Sequence, residues 1–146
     1  NGDYLAKHDL KLNAISGAIP VSAFHDIDLV APSRPKDVWG EDPRLWLNAS
    51  TTPQFWGRTS FPSMPWLAII ADGDEKWRRD QNYQFLANLK EVGFNNMSLL
   101  DIKNRDHNSI WDNISNGDEV SSRVINFVSK HLSRIRSRGC QLKSNS

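Results

Sequence analysis

Three short apolar runs, each bounded by polar sequence, set the expected architecture. Ile15 to Phe24 (ISGAIPVSAF) is rich in β-branched and small residues, as expected of a strand buried on both faces. Trp66 to Ala71 (WLAIIA), introduced by Pro65, and Met97 to Ile102 (MSLLDI) repeat the signal. Between the second and third runs, Arg79 to Val92 sets Phe85, Leu86, Leu89 and Val92 on one face at helical spacing, with Gly93 where a helix would end. A strand, helix, strand order calls for a right-handed parallel crossover, so the second and third strands should be neighbours. A last helix is expected from the Asn116 to Glu119 region to about Leu132, with Val120, Val124, Phe127 and Val128 covering the sheet.

The stretch from His25 to Met64 breaks this rhythm. Its five prolines, Pro32, Pro35, Pro43, Pro53 and Pro62, are interspersed with Trp39, Trp46 and Trp56. Such composition predicts an irregular excursion with one short helix over Pro43 to Ala49, proline suiting its first turn. Long loops of this kind commonly carry function, and the tryptophans could line a pocket or simply pack over the sheet. The fold class read from the pattern is α/β, with three parallel strands and flanking helices.

Composition narrows the partners more than the fold. A chain of 146 residues suits one domain, and 18 basic against 17 acidic residues leave a net charge of +1, so no overall field recruits nucleic acid. No apolar run nears the roughly 20 residues of a membrane helix. The single cysteine, Cys140, cannot pair within the chain, and this leaves a reducing, cytoplasmic setting open. The start Asn1-Gly2-Asp3 lacks both a methionine and the character of a signal peptide, and Tyr4 to Lys7 reads as a continuing connection, so a fragment of a longer protein is expected. The polar stretch Ser133 to Ser146, with Arg134, Arg136, Arg138 and Lys143, is expected to be a basic, disordered tail.

The chemistry-bearing residues lie just past the second and third strands. Asp74 follows Trp66–Ala71, and His107 stands in Arg105-Asp106-His107-Asn108-Ser109 after Met97–Ile102. Ligands gather beyond the carboxyl ends of parallel strands, and a carboxylate there can fix an imidazole tautomer for proton transfer from a serine. Asp74 and His107 are therefore the candidate triad acid and base. Taken alone, Asp74 would pass for a turn residue of Asp72-Gly73-Asp74-Glu75 and His107 for a hydrogen-bonded loop histidine; their order together changes the reading. Asp26 and Asp28, beyond the first strand, are alternative acids, ranked behind Asp74. Ser22 is a poor nucleophile candidate, because Pro20-Val21-Ser22-Ala23-Phe24 lacks the glycines of a strained nucleophile turn. His8, His25 and His131 are read as structural, His131 near a helix C-terminus, and no spacing suggests a metal site or a cofactor.

Four stretches together resemble the carboxyl-terminal half of α/β-hydrolases, in the esterase and lipase branch that includes kynurenine formamidase-like and BD-FAE-like enzymes. They are Tyr4 to His8 through Ile19 to Ser22; Trp39 to Pro43 with Trp46 and Ala49-Ser50; Pro65 to Asp74 with Gln81; and Arg105 to Ile110. The resemblance covers Tyr4 to Leu132 and implies a partial α/β-hydrolase domain over residues 1–132. It further implies Asp74 as triad acid and His107 as base, for hydrolysis of a small-molecule ester or N-formyl amide through an acyl-enzyme. The family's Gly-x-Ser-x-Gly turn and oxyanion-hole loop have no counterpart among these residues, so the chain by itself is expected to be inactive. The alternative is a non-catalytic truncated isoform or degenerate paralogue that binds a small molecule or another chain, a second copy included, through the edge left by the missing strand.

Overall fold

The structure is a computed structural model that describes residues 5–27, 34–55, 61, 63–112 and 114–143. Asp28, Trp56 and Asn113 lie outside the described residues. Helix α1 (Arg34–Trp39) and helix α2 (Pro43–Ala49) precede strand β1 (Trp66–Ala71); helix α3 (Lys76–Glu91), strand β2 (Met97–Ile102) and helix α4 (Glu119–Lys143) complete the order. The architecture is α/β, built on a small parallel sheet. β1 and β2 pair in parallel and in register, Trp66 opposite Met97 through Ala71 opposite Ile102. Their carboxyl ends therefore lie level, and the loops that leave them emerge side by side.

The strongest departure from the expected fold concerns the first apolar run. Ile15–Phe24 is not a strand: among the described residues the sheet has two strands, and this segment meets β1 only at two isolated parallel bridges, Ala18 to Trp66 and Val21 to Ile69. Its backbone still trades four bonds with β1 and the proline before it, between Ala18 N–H and Pro65 O, Leu67 N–H and Ala18 O, Ile69 N–H and Pro20 O, and Ser22 N–H and Ile69 O. Two local causes shorten it. Pro20 has no N–H to donate, and Ser22 turns to a φ of +41°, outside the extended region.

The sheet is covered on both faces. Leu67, Ile69 and Ala71 of β1 and Ile102 of β2 join buried Ile110 and Val120, with Val124 and Phe127 of α4 packed against them. On the opposite side Phe85 and Leu89 of α3 cluster with Phe94, against which Trp66 and Met97 pack. The two-residue period of β1 sends Trp66 and Leu67 to opposite faces, so its uninterrupted apolar run is what a strand sandwiched between helices requires.

Helix ends are set by local chemistry. Asp42 caps α2 by accepting from Arg44 N–H, with Pro43 in the first turn as expected. Gly93 takes a φ of +89° just beyond α3, and Phe94 N–H donates to Leu89 O at 2.9 Å. The start of α4 is held by Asp118 rather than by the expected Asn116: its Oδ1 accepts from Ser121 N–H at 2.8 Å, and Asn116 falls in a preceding 3-10 turn over Ile114–Asn116. The helix continues past Leu132 to Lys143. Residues 133–143 contain no proline, and their three arginines, with Gln141, Leu142 and Lys143, are good helix formers. His131 is accordingly within the helix rather than near its end, its ring 4.7 Å from that of Phe127.

Candidate active site

Asp74 leaves β1 through the turn Asp72-Gly73-Asp74, and the site depends on how closely this turn meets the loop after β2. Asp72 N–H donates to Ile102 O at 2.9 Å and Gly73 N–H to Arg105 O at 2.8 Å. A Cβ on Gly73 would stand 2.7 Å from Arg105 O, closer than real Cβ atoms come, so only glycine permits this approach. The glycine that the sequence marked as a turn former is required by a neighbour more than thirty residues away.

The loop after β2 is pinned on both sides of His107. Upstream, Arg105 pairs with Asp118 at 2.5 Å, tying the loop to the start of α4. The Ser121 backbone N–H, and then the Arg105 guanidinium, hold the Asp118 carboxyl below its ordinary range. Asp106 Oδ1 accepts from the backbone N–H groups of Asn108 at 3.0 Å and Ser109 at 2.8 Å and from the Ser109 hydroxyl at 2.8 Å. The Ser109 backbone bond is the main cause of a lowered Asp106 carboxyl pKa. Downstream, Ile110 is fully buried in the core and its N–H donates to Asp106 O. Between these anchors the His107 ring projects outward.

The result is a juxtaposition of the two sequence-predicted residues. His107 Nδ1 lies 3.5 Å from Asp74 Oδ1; the carboxylate side chain is fully buried, whereas the imidazole side chain is 46% exposed. Asp74 Oδ1 accepts no aligned hydrogen bond among the described residues, leaving it available to a small rotation of the imidazole. Its other oxygen is taken: Ser22 Oγ donates to Asp74 Oδ2 at 2.5 Å. A neutral imidazole donating from Nδ1 to this carboxylate would present Nε2 as a base toward the open side.

The competing residues go elsewhere. Asp26 Oδ2 accepts from the Thr52 hydroxyl at 2.8 Å and faces the Thr52–Phe55 turn. His25 is buried and stacked flat on Phe85 at 3.7 Å between ring centroids; its Nδ1 lies 3.2 Å from Thr51 Oγ1 and its Nε2 3.3 Å from Asn82 Oδ1. Desolvation by burial lowers its pKa from 6.5 to about 4, against a smaller opposing effect of Asn82, so His25 is neutral near pH 7. His8 is exposed. Trp39 meets Phe24 edge-on at 5.9 Å, and the Trp46 indole N–H donates to Gly40 O at 2.8 Å, fastening α2 to the turn before it. Among the described residues no group of three His, Cys, Asp or Glu side chains is placed to hold a metal ion, and no helix is long and apolar enough to cross a membrane.

Two parts of the site escaped the sequence reading. One is Ser22, for which the local sequence carries no sign of a left-handed backbone or of a carboxylate 52 residues ahead. The other is the burial of a polar stripe, Arg78, Gln81 and Asn82, of which only Gln81 figured in the motif resemblance, on the same face of α3 as Phe85 and Leu89. Arg78 Nη1 donates to Ser22 O, Asn82 Nδ2 to Ala23 O, and Gln81 Oε1 accepts from the backbone N–H groups of His25 and Asp26. Here a signal existed: positions 78, 81, 82, 85 and 89 share one helical face, so polar residues on it had to find buried partners. Protein-family models, curated proteins and solved structures were each compared with this chain, and none of the three comparisons returned a match.

Proposed function

We propose that Asp74 and His107 are the acid and base of a serine-hydrolase triad of the α/β-hydrolase kind, acting on a carboxylic ester or an N-formyl amide through an acyl-enzyme. The observation that carries this reading is the approach of His107 Nδ1 to the buried Asp74 Oδ1 at 3.5 Å, at the level carboxyl ends of two parallel strands. Catalytic hydrogen bonds are often long before substrate binds, and a short rotation of the exposed ring closes this one. In this reading the segment 15–24 is the third parallel strand of the parent sheet, reduced here to its two bridges with β1. The motif resemblance over Tyr4 to Leu132 supports the same assignment.

The division of labour follows from the chemistry. His107 Nε2 takes the proton of an attacking serine hydroxyl as the acyl-enzyme bond forms, then delivers it to the leaving alkoxide or amine; in deacylation it repeats the cycle with water. Asp74 holds the tautomer and stabilises the transient imidazolium. The 146 residues contain no Gly-x-Ser-x-Gly, so the nucleophile and the oxyanion donors belong to other sequence. Each oxyanion donor contributes roughly 3 to 4 kcal/mol to the transition state, so Asp74 and His107 without them give no appreciable turnover.

The test is to express the reading frame extended upstream of Asn1 and to assay it with p-nitrophenyl acetate and an N-formyl arylamine. The reading predicts a burst and turnover that fall by about three to four orders of magnitude in His107→Ala, with Asp26→Ala near the parent rate. Turnover indifferent to His107, or no turnover from the extended protein, would contradict it. A second reading, a non-catalytic chain that pairs with another copy, draws on the sheet's flanks: 15–24 meets β1 at only two bridges, and Ser98 and Leu99 of β2 are exposed. It predicts concentration-dependent association in sedimentation, together with inert extended protein.

A further inference from the structure

Ser22 combines three properties that rarely coincide. It is 1% exposed, it carries a φ of +41° that only glycine adopts without strain, and its hydroxyl donates to Asp74 Oδ2 at 2.5 Å. The strained backbone is fixed from several sides. Ser22 N–H donates to Ile69 O at 2.8 Å, Arg78 Nη1 donates to Ser22 O at 3.0 Å, and Ala71 N–H lies 3.4 Å from Ser22 Oγ. Strain of this kind persists only where the surroundings over-determine it, and it clusters at functional sites.

A nucleophilic role does not fit this geometry. Ser22 Oγ is shielded from solvent and bonded to the carboxylate, whereas a nucleophile must be open to substrate and bonded to the imidazole. The useful consequence lies on Asp74. A carboxylate has two oxygens and turns about one bond, so anchoring Oδ2 fixes where Oδ1 points. Oδ1 is the oxygen that faces His107 Nδ1. Ser22, Asp74 and His107 thus stand in a row across the carboxyl ends of the 15–24 segment, β1 and β2.

Resting on the triad reading above, we propose that Ser22 is a positioning residue of the site: its hydroxyl holds the Asp74 carboxylate so that the free oxygen selects the Nδ1–H tautomer of His107. The left-handed turn at Ser22 is what brings the hydroxyl beneath Asp74. A serine is needed there because glycine would relax the backbone and lose the donor, while a larger side chain would not fit the buried position.

The experiment reads the tautomer of neutral His107 by long-range proton–nitrogen correlation NMR on the 146-residue chain at pH 8.5, in the wild type and in Ser22→Ala, Ser22→Gly and Asp74→Ala. The expected result is a predominantly Nδ1–H imidazole in the wild type, and a shift to the Nε2–H form usual in water in all three variants. Ser22→Gly guards against misfolding, since it removes the hydroxyl while relieving the positive φ; a merely structural serine would leave the tautomer unchanged in this variant. If Asp74→Ala moves the tautomer and Ser22→Gly does not, the role of Ser22 is overturned while the acid and base pairing stands. If neither moves it, both fall.

Discussion

His25 and His107 are both loop histidines beyond parallel segments, and the fold treats them in opposite ways. His25 is buried against Phe85 with both ring nitrogens near uncharged partners, Thr51 and Asn82. His107 is half exposed, with Nδ1 toward a buried carboxylate. Burial with neutral partners removes the proton chemistry of an imidazole; a fixed carboxylate on one side and an open face on the other preserves it. The contrast separates a histidine that closes the structure from one left open beside a carboxylate, and it arises from neighbours rather than from residue type.

The largest expected effect breaks the platform of the half-exposed histidine. Ile110 is fully buried three residues beyond His107 and belongs to the core shared with β1, β2 and α4. Ile110→Ala should cost about 2 to 5 kcal/mol in urea unfolding, and should disperse the His107 ring signals before the global transition. A loss below about 1 kcal/mol would mean the loop does not lean on the core.

The next effect isolates the closed histidine through pH. The folded pKa of His25, about 4, lies below its unfolded 6.5, so the unfolded chain binds the extra proton between these values. Stability from this group is therefore complete above pH 6.5, falls as the pH is lowered from 6.5 to 4, and levels off below, a loss of about 3 kcal/mol in all. His25→Gln should flatten that window. Asp106 and Asp118 have depressed pKa values, so their contributions are lost only as the pH falls below about 3.8, outside it. Unfolding curves at several pH values check the assignment; an unchanged slope in His25→Gln would reject it.

A smaller effect tests the contact between the two loops. Gly73→Ala adds a Cβ against a backbone oxygen, which cannot swing aside, and should cost about 1 to 3 kcal/mol while moving the Asp74 turn away from Arg105. Chemical-shift changes should then reach His107. Changes confined to residues 72–75 would show that the loops are independent.

How much of this was legible in the sequence depended on the range of the interactions. The short helix Pro43–Ala49 and both strands, Trp66–Ala71 and Met97–Ile102, came out at the predicted boundaries, because proline placement and uninterrupted apolar runs are local signals. The first apolar run looked equally strand-like and was not one: Pro20 and the turn at Ser22 interrupt it, and its continuation takes its hydrogen bonds from Arg78, Gln81 and Asn82. The cap at Asp118 was missed because an acid three residues from Ser121 was less conspicuous than Asn116 paired with Glu119. The closeness of Asp74 and His107 was legible from topology alone, since residues just past adjacent parallel strands must meet. The Ser22 bond and the tight pass of Gly73 under Arg105 were not, because nothing local encodes a partner on another loop.

The most direct measurement is the tautomer of neutral His107 in the wild-type chain and in Asp74→Ala. The account predicts a proton on Nδ1 in the wild type, held by the buried carboxylate, and its transfer to Nε2 when that carboxylate is removed. An Nε2–H imidazole in both proteins would contradict it, leaving Asp74 a turn residue and His107 an ordinary surface histidine.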